Sequence, residues 1–505
     1  MTHTIGFDNE KYLKEQTTAI MERVKQFDNK LYLEFGGKLL FDMHASRVLP
    51  GFDPNVKMRL LQQLKENVEV IICIYAGDIE RKKMRGDFGI TYDVDAQKLI
   101  DDLAEWEIKV RAVLVTRYEG QPSAKMFINK LERRGIKVYK HHFTKGYPHD
   151  VDVIVSEEGY GINDYIKTEK PIVVVTAPGP GSGKLGTCLS QLYHDHKNGI
   201  KSGYAKFETF PIWNLPLKHP VNIAYEAATA DLKDVNLIDH FHLEAYNEKS
   251  VNYNRDLEAF PLLRRILEKI TESESPYKSP TDMGVNRAGF GIVENEVVRE
   301  AATQEIIRRC FHSAREYAIG LGDKETMQRS EQLMIDQNIS EDYRDVVSPA
   351  RKAAIEGEQK GKGSEGIYCG AALKLRDGTI IQGKNSSLMH AASSLILNAT
   401  KYLANIPDNM FLLPSAITKS LGIFKKDVLN SKILSLDLEE TLTALCISSI
   451  SNPAAQLAVE KLKELRGCEV HITHIPSPGD EGGLRKLGLN VTSDPNFASK
   501  KLYVS

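Results

Sequence analysis

Runs of consecutive apolar residues, each about one strand long, alternate with charged amphipathic stretches through the first half of the chain. Residues 8–30 carry Tyr12, Ile20, Val24 and Phe27 at helical spacing. Strand-like runs follow at 31–35, 68–76, 109–116, 137–143, 151–156 and 171–176. Helical spacing marks 55–67, 95–106 and 123–134, and a further helix begins near Leu185. Strands apolar on both faces, spaced by amphipathic helices, predict an α/β fold with a mainly parallel sheet covered on both sides. In such sheets ligands sit beyond the carboxyl ends of the strands.

The pattern changes near residue 250. Helical periods occupy 256–273, 294–321, 323–337 and 342–359, with few strand signals among them. Residues 356–366, EGEQKGKGSEG, are charged, Gly-rich and almost free of apolar side chains, which predicts a linker. Beyond it, 370–375 and 379–383 flank Arg376-Asp377-Gly378, a hairpin signal. Helices are expected at 388–403, at 438–450 and from Asn452-Pro453 to 465, with a strand at 468–475. Three regions are expected: a P-loop-like α/β domain at 1–250, a helical segment at 251–360, and a smaller α+β domain at 366–505.

Composition narrows the class. The 505 residues hold 66 Lys+Arg against 68 Asp+Glu, a net charge of −2. That balance speaks against a chain-wide partner made of nucleic acid or anionic membrane. No apolar run approaches the roughly 18 residues that cross a bilayer. Residues 1–11 are polar and lack the apolar core of a signal peptide. The six cysteines never approach Cys-x-x-Cys spacing, which argues against a thiolate zinc site and a disulfide framework. A cytoplasmic protein is expected.

One segment carries recognisable chemistry. Residues 172–187, IVVVTAPGPGSGKLGT, read as a strand, a Gly-rich turn and a helix start. Gly179, Gly181 and Gly183 let backbone N–H groups approach a phosphate without Cβ clashes, with Ser182 between them. The helix start adds open N–H groups and a positive dipole end. Lys184 adds a mobile charge, and Thr187 offers a hydroxyl to Mg²⁺. The match to G-x-x-x-x-G-K-[ST] is incomplete: Pro178 stands where glycine is needed, and Leu185 where the hydroxyl belongs. The alternative is a tight strand-to-helix turn with an exposed lysine.

Other candidates are local. Lys206, about twenty residues past the loop, looks like the second lysine that P-loop ligases of the dethiobiotin synthetase type return toward the phosphates. A lysine on a solvated loop is the alternative. Asp239 ends the run Val235-Asn-Leu-Ile and is the nearest candidate for a metal- or water-orienting carboxylate. If extended, the next residues put His240, His242 and Glu244 on one face, a combination able to bind metal; a polar edge is the alternative. Lys38, Asp42, His44, Ser46 and Arg47 crowd the loop after the first strand, where His44 can move a proton.

Long segments of the chain resemble a bacterial family of uncharacterised proteins, domain of unknown function 1846. They include LYLEFGGKLLFDMHASRVLPGF (31–52), RGDFGITYDVD (85–95), the stretch from 173 to 222 around the Gly-rich loop, NYNRDLEAFP (252–261) and SPYKSPTDMGVN (275–286). The resemblance covers essentially the whole chain. It implies a P-loop-like α/β domain with a C-terminal domain and no established activity. Members have been labelled ATP-dependent peptidases. No His-Glu-x-x-His, Gly-x-Ser-x-Gly or Cys/His motif supports that label here. The leading expectation is an enzyme that binds a nucleotide or phosphorylated small molecule, with Mg²⁺ as companion: a hydrolase, ligase or transferase. The others are a binding module without turnover and a structural homo-oligomer.

Overall fold

The computed structural model describes residues 5–85, 89–364 and 366–499. Residues 86–88 of the 85–95 segment, residue 365 of the expected linker and the first four residues lie outside them. The chain divides into two compact units, one from residues up to 226 with 234–302, the other from 227–233 with residues from 303 on.

The first unit is built on six parallel strands: β1 (Leu31–Phe35), β2 (Val68–Tyr75), β3 (Val110–Thr116), β4 (Val138–Lys140), β5 (Ile172–Thr176) and β6 (Gly203–Phe207). Their order across the sheet is β4-β3-β2-β5-β1-β6. The α/β parallel architecture is therefore as the periodicity predicts. β5 enters late and takes the centre, pairing Ile172 with both Leu31 of β1 and Val68 of β2. Every residue of β5 is buried, which explains its unbroken apolar run. The Lys184–Lys197 and Asn254–Thr271 helices cover one face, packing Cys188, Leu192, Phe260 and Leu267 against Tyr32, Cys73, Val175 and Tyr204. Each such apolar side chain contributes about 1.5–3 kcal/mol by leaving water. β7 (Asn236–Ile238) and β8 (Val251–Tyr253) form a separate antiparallel ladder.

Two readings of the strand pattern are corrected here. Residues 151–156 are not a strand. Asp150 accepts a hydrogen bond from the Val153 N–H and caps a short helix, Val151–Ile154. The expected linker begins inside a helix, Val347–Gln359, which holds Ala350, Ala353 and Gly357 buried. Conversely, β6 was hidden by its composition: Gly203 and Lys206 interrupt an otherwise apolar strand.

The second unit carries a mixed sheet of β9 (Gly370–Lys374), β10 (Ile380–Lys384), β11 (Glu469–Ile472) and β12 (Asn490–Ser493), in the order β10-β9-β11-β12. β9 and β10 are the hairpin expected at Asp377-Gly378. The Ala391–Leu403 helix packs Leu395, Ile396 and Ala399 onto this sheet. Arg344 is fully buried beside it. Its guanidinium donates to Glu469, to the carbonyls of Val470 and Asn490, and to the Thr492 hydroxyl. No helix among the described residues is long and apolar enough to cross a membrane.

Candidate functional site

The Gly-rich loop leaves the carboxyl end of β5, at the centre of the sheet. Gly181 and Gly183 both take the left-handed conformation, φ 71° and 90°. A side chain at either position is strained. Neighbours anchor the loop by its carbonyls. The Thr116 hydroxyl, at the end of β3, donates to Ser182 O at 2.8 Å, and Arg117 donates to Gly181 O. The peptide unit is planar and trans, so the N–H groups of Ser182 and Gly183 point away from these anchors. The Lys184–Lys197 helix then starts with Gly183 as N-cap and no side-chain cap, leaving its first N–H groups open. Those donors lie in the same short segment as the positive end of the helix dipole. Tyr92 packs so closely on Gly179 that a Cβ there would meet its hydroxyl at 2.2 Å.

The hydroxyls of the loop are turned inward. Ser182 Oγ donates to Gly179 O at 2.8 Å, and Thr187 Oγ1 donates to Gly183 O at 2.9 Å and lies 3.3 Å from Cys73 Sγ. Lys184 is half-buried and has no carboxylate partner among the described residues. Its charge reaches the buried thiols of Cys73 and Cys188. Burial drives both thiols up, Cys73 to about 12, while Lys184 and Glu34 act on both in opposite senses.

Glu34 connects the loop to a second group of side chains. It lies in register with Val175 of β5 on one side and Lys206 of β6 on the other. Partners in register point to the same face, so Glu34 and Lys206 stand on the face covered by the Lys184–Lys197 helix. Strands lie about 4.8 Å apart, so Lys206 sits two spacings from β5. The Tyr204 hydroxyl donates to Glu34 Oε2 at 2.8 Å. Lys206 Nζ donates to Asp256, donates to the Tyr253 hydroxyl at 2.5 Å, and lies 3.1 Å from Glu208 Oε1. Burial opposes the Lys206 charge, yet Asp256, Glu208 and Glu34 hold its pKa above the ordinary value. Glu208 behaves oppositely. Burial and the Asp256 charge outweigh Lys206, and its carboxyl is pushed up to about 7. Gly36 makes room for it, since a Cβ there would lie 2.5 Å from Glu208 Cγ.

The remaining predicted residues serve other neighbours. Asp239 ends β7, in the ladder outside the six-stranded sheet, and is wholly buried. It caps the His240–Tyr246 helix through the His242 N–H and accepts the Thr281 hydroxyl at 2.7 Å. Because 240–246 is helical, His240, His242 and Glu244 do not share a face. His44 packs its ring 5.3 Å from Phe210 and 6.3 Å from Tyr225, and Tyr225 lies 6.4 Å from Tyr253. Asp42 caps the Met43–Val48 helix and pairs with buried Lys57 at 2.8 Å. Among the described residues no group of three or more His, Cys, Asp or Glu side chains is placed to hold a metal ion. The Ser182 and Thr187 hydroxyls are committed to carbonyls of the loop. Sequence reasoning missed Glu34, Glu208, Tyr253 and Asp256. The available signal was Glu34 itself, a lone carboxylate inside an apolar strand.

Two sequence families match this architecture in tandem: the domain of unknown function DUF1846, N-terminal, over residues 5–338, and its C-terminal counterpart over 342–503. A UPF0371 protein of Clostridium tetani is 60% identical over 499 residues, 99% of either chain. A UPF0371 protein of Clostridium botulinum, strain Alaska E43, is 61% identical with the same coverage. The chain thus belongs to the DUF1846 family, a bacterial family of uncharacterised function.

Proposed function

We propose that this chain binds a nucleotide or other phosphorylated small molecule at the loop of residues 178–187, in the cytoplasm. The observation that carries the reading is the anchoring of the loop by its carbonyls, which turns the N–H groups of Ser182 and Gly183 away from Thr116 and Arg117, next to the uncapped helix start at Lys184. Oriented donors of this kind hold an anion without reorganising. A phosphate there needs no hydroxyl from the loop. Any Mg²⁺ that accompanies a nucleotide is held by the ligand's own oxygens and water. The six cysteines are all free, as suits a reducing compartment.

A catalytic reading has one observation in its favour. The Glu208 carboxyl, near neutrality, lies 3.1 Å from Lys206, whose strand neighbour is Glu34. Such an acid is able to exchange a proton with a ligand that reaches it. Binding comes first in either case. Melting temperatures of the wild type and Lys184→Ala, measured with inorganic phosphate, nucleotides and sugar phosphates, with and without Mg²⁺, test it. A ligand at about 100 times its dissociation constant adds about 2.7 kcal/mol. Stabilisation present in the wild type and lost in the variant is expected. An equal response of both proteins, or none, removes the phosphate site. Turnover of a bound ligand then separates enzyme from binding module.

A further inference from the structure

We propose that the crevice between the carboxyl ends of β1 and β5 binds the carboxylate of a small organic acid, at a site separate from the Gly-rich loop. The strand order opens this crevice. β1 and β5 are paired, yet the chain leaves them in opposite directions, from β1 to β2 beyond β5 and from β5 to β6 beyond β1. Right-handed crossovers then place the following helices on opposite faces of the sheet. Ligands of parallel sheets sit at such a reversal. A cavity lies there, between residues 38–41 after β1, residues 176–178 at the end of β5, and the Tyr92–Glu105 helix.

Thr176 marks the cavity as a ligand site. Its side chain is 1% exposed, and its hydroxyl has no hydrogen-bond partner among the described residues. A buried hydroxyl left unpaired costs stability. Side chains alternate along β5, and Val175 packs in the cluster under the Lys184–Lys197 helix. Thr176 therefore faces the other side of the sheet, on the wall of the cavity. The β1 side is held in place by buried Lys57, which donates to Lys38 O at 3.0 Å and to Asp42 at 2.8 Å, and by Asn55, which accepts the Phe41 N–H at 3.0 Å. The charges match a carboxylate. Among the described residues the cavity is lined by three cations, Lys38, Arg85 and Lys98, and two carboxylates, Asp95 and Asp102. Arg85 donates to Asp95 at 2.6 Å, and Lys98 pairs with Asp102. One positive charge is in excess, which the single negative charge of a carboxylate balances; a phosphate brings nearly two. The cavity volume, about 20 Å³, takes one small polar group and excludes a base or a sugar ring. Phe41, 37% exposed with Lys98 Nζ 5.0 Å from its ring centre, offers the acid's carbon chain an apolar surface beside the charge.

Saturation-transfer NMR on the full chain, with acetate, succinate and glutamate beside the neutral acetamide and succinamide, tests this. Transfer to at least one acid and to neither amide is expected. Thr176→Val should weaken binding of that acid about tenfold. Its melting temperature without ligand should hold or rise, because an unpartnered hydroxyl is exchanged for a methyl group. Lys38→Gln, outside the strands, should weaken binding by a similar factor. Lys184→Ala should bind the acid as the wild type does, which separates this site from the loop. Failure of all three acids overturns the proposal, as does equal transfer to the amides or acid binding that survives either Thr176→Val or Lys38→Gln. A fall in the melting temperature of Thr176→Val without ligand overturns it as well, and loss of binding in Lys184→Ala assigns the acid to the loop instead.

Discussion

Glu208→Gln should change the pH dependence of stability while leaving the shape of the site intact. In the folded chain the Glu208 carboxyl is moved from 4.5 to about 7, chiefly by burial. An acid that holds its proton more tightly when folded adds stability at low pH, below its ordinary pKa. That contribution is lost as pH rises through about 7. At about 1.36 kcal/mol per unit the shift amounts to roughly 3 kcal/mol between pH 4.5 and 8. Glutamine keeps an oxygen to accept the Tyr253 hydroxyl, which now donates to Glu208 Oε1 at 2.7 Å. Lys206 keeps Asp256 as its partner. The variant should therefore match the wild type within about 1 kcal/mol at pH 5 and exceed it by about 2–3 kcal/mol at pH 8. Urea unfolding followed by tryptophan fluorescence reads the right unit, because both tryptophans, Trp106 and Trp213, lie in the unit that holds Glu208. A difference between variant and wild type that stays constant from pH 5 to pH 8 would refute the assignment of a near-neutral proton to Glu208.

Three further outcomes follow from residues elsewhere. Gly183→Ala forces a side chain into φ 90° with its Cβ 3.0 Å from Thr116, which should cost about 1–2 kcal/mol and abolish any phosphate-induced rise in melting temperature. His390 donates from Nδ1 to Asp480 at 2.7 Å; burial opposes its charge, but the Asp480 bond and charge raise its pKa above 6.5. Asp480→Asn should bring the His390 imidazole titration, followed by NMR, down below that value. The stability the pair contributes is present below pH 6.5 and disappears as pH climbs through the raised value, so the variant's deficit should shrink in alkali. Arg344→Leu leaves Glu469 short of a partner, takes the guanidinium donor from the Asn490 carbonyl and leaves the Val470 carbonyl with the Thr492 hydroxyl as its side-chain donor; the second unit should lose about 3–5 kcal/mol, read by denaturant unfolding followed by circular dichroism.

Much of the main sheet was legible because a parallel strand buried on both faces writes itself as an apolar run, as Val68–Tyr75 and Ile172–Thr176 do. β6 was not, since Lys206 and Gly203 belong to a charged network and a close approach to Phe27 rather than to the apolar pattern. The Val151–Ile154 helix was misread for the opposite reason: its β-branched residues look like a strand, and a single aspartate cap decides otherwise. The phosphate-type loop could be recognised from its glycines and lysine. Its partners could not. Glu34, Glu208 and Asp256 stand far apart in the chain, and only the register of β1 against β6 and the packing of the Asn254–Thr271 helix gather them. Motif reasoning finds residues that are close in sequence; a charge cluster made by strand order leaves no local trace.

The strand order has a consequence for how the chain is made. β1 leaves the ribosome early, yet both of its neighbours, β5 and β6, come more than a hundred residues later. β2 and β3 can join as soon as they are synthesised, with β4 beside them, but β1 has no adjacent strand until β5 slides in between it and β2. During that interval β1 presents two edges of unpaired N–H and C=O groups, a template for wrong pairing with other nascent chains. Closing such distant contacts is slow. A chain stopped before residue 172 therefore holds half a sheet and a stray first strand, and completion of the fold waits on the same segment that delivers the Gly-rich loop.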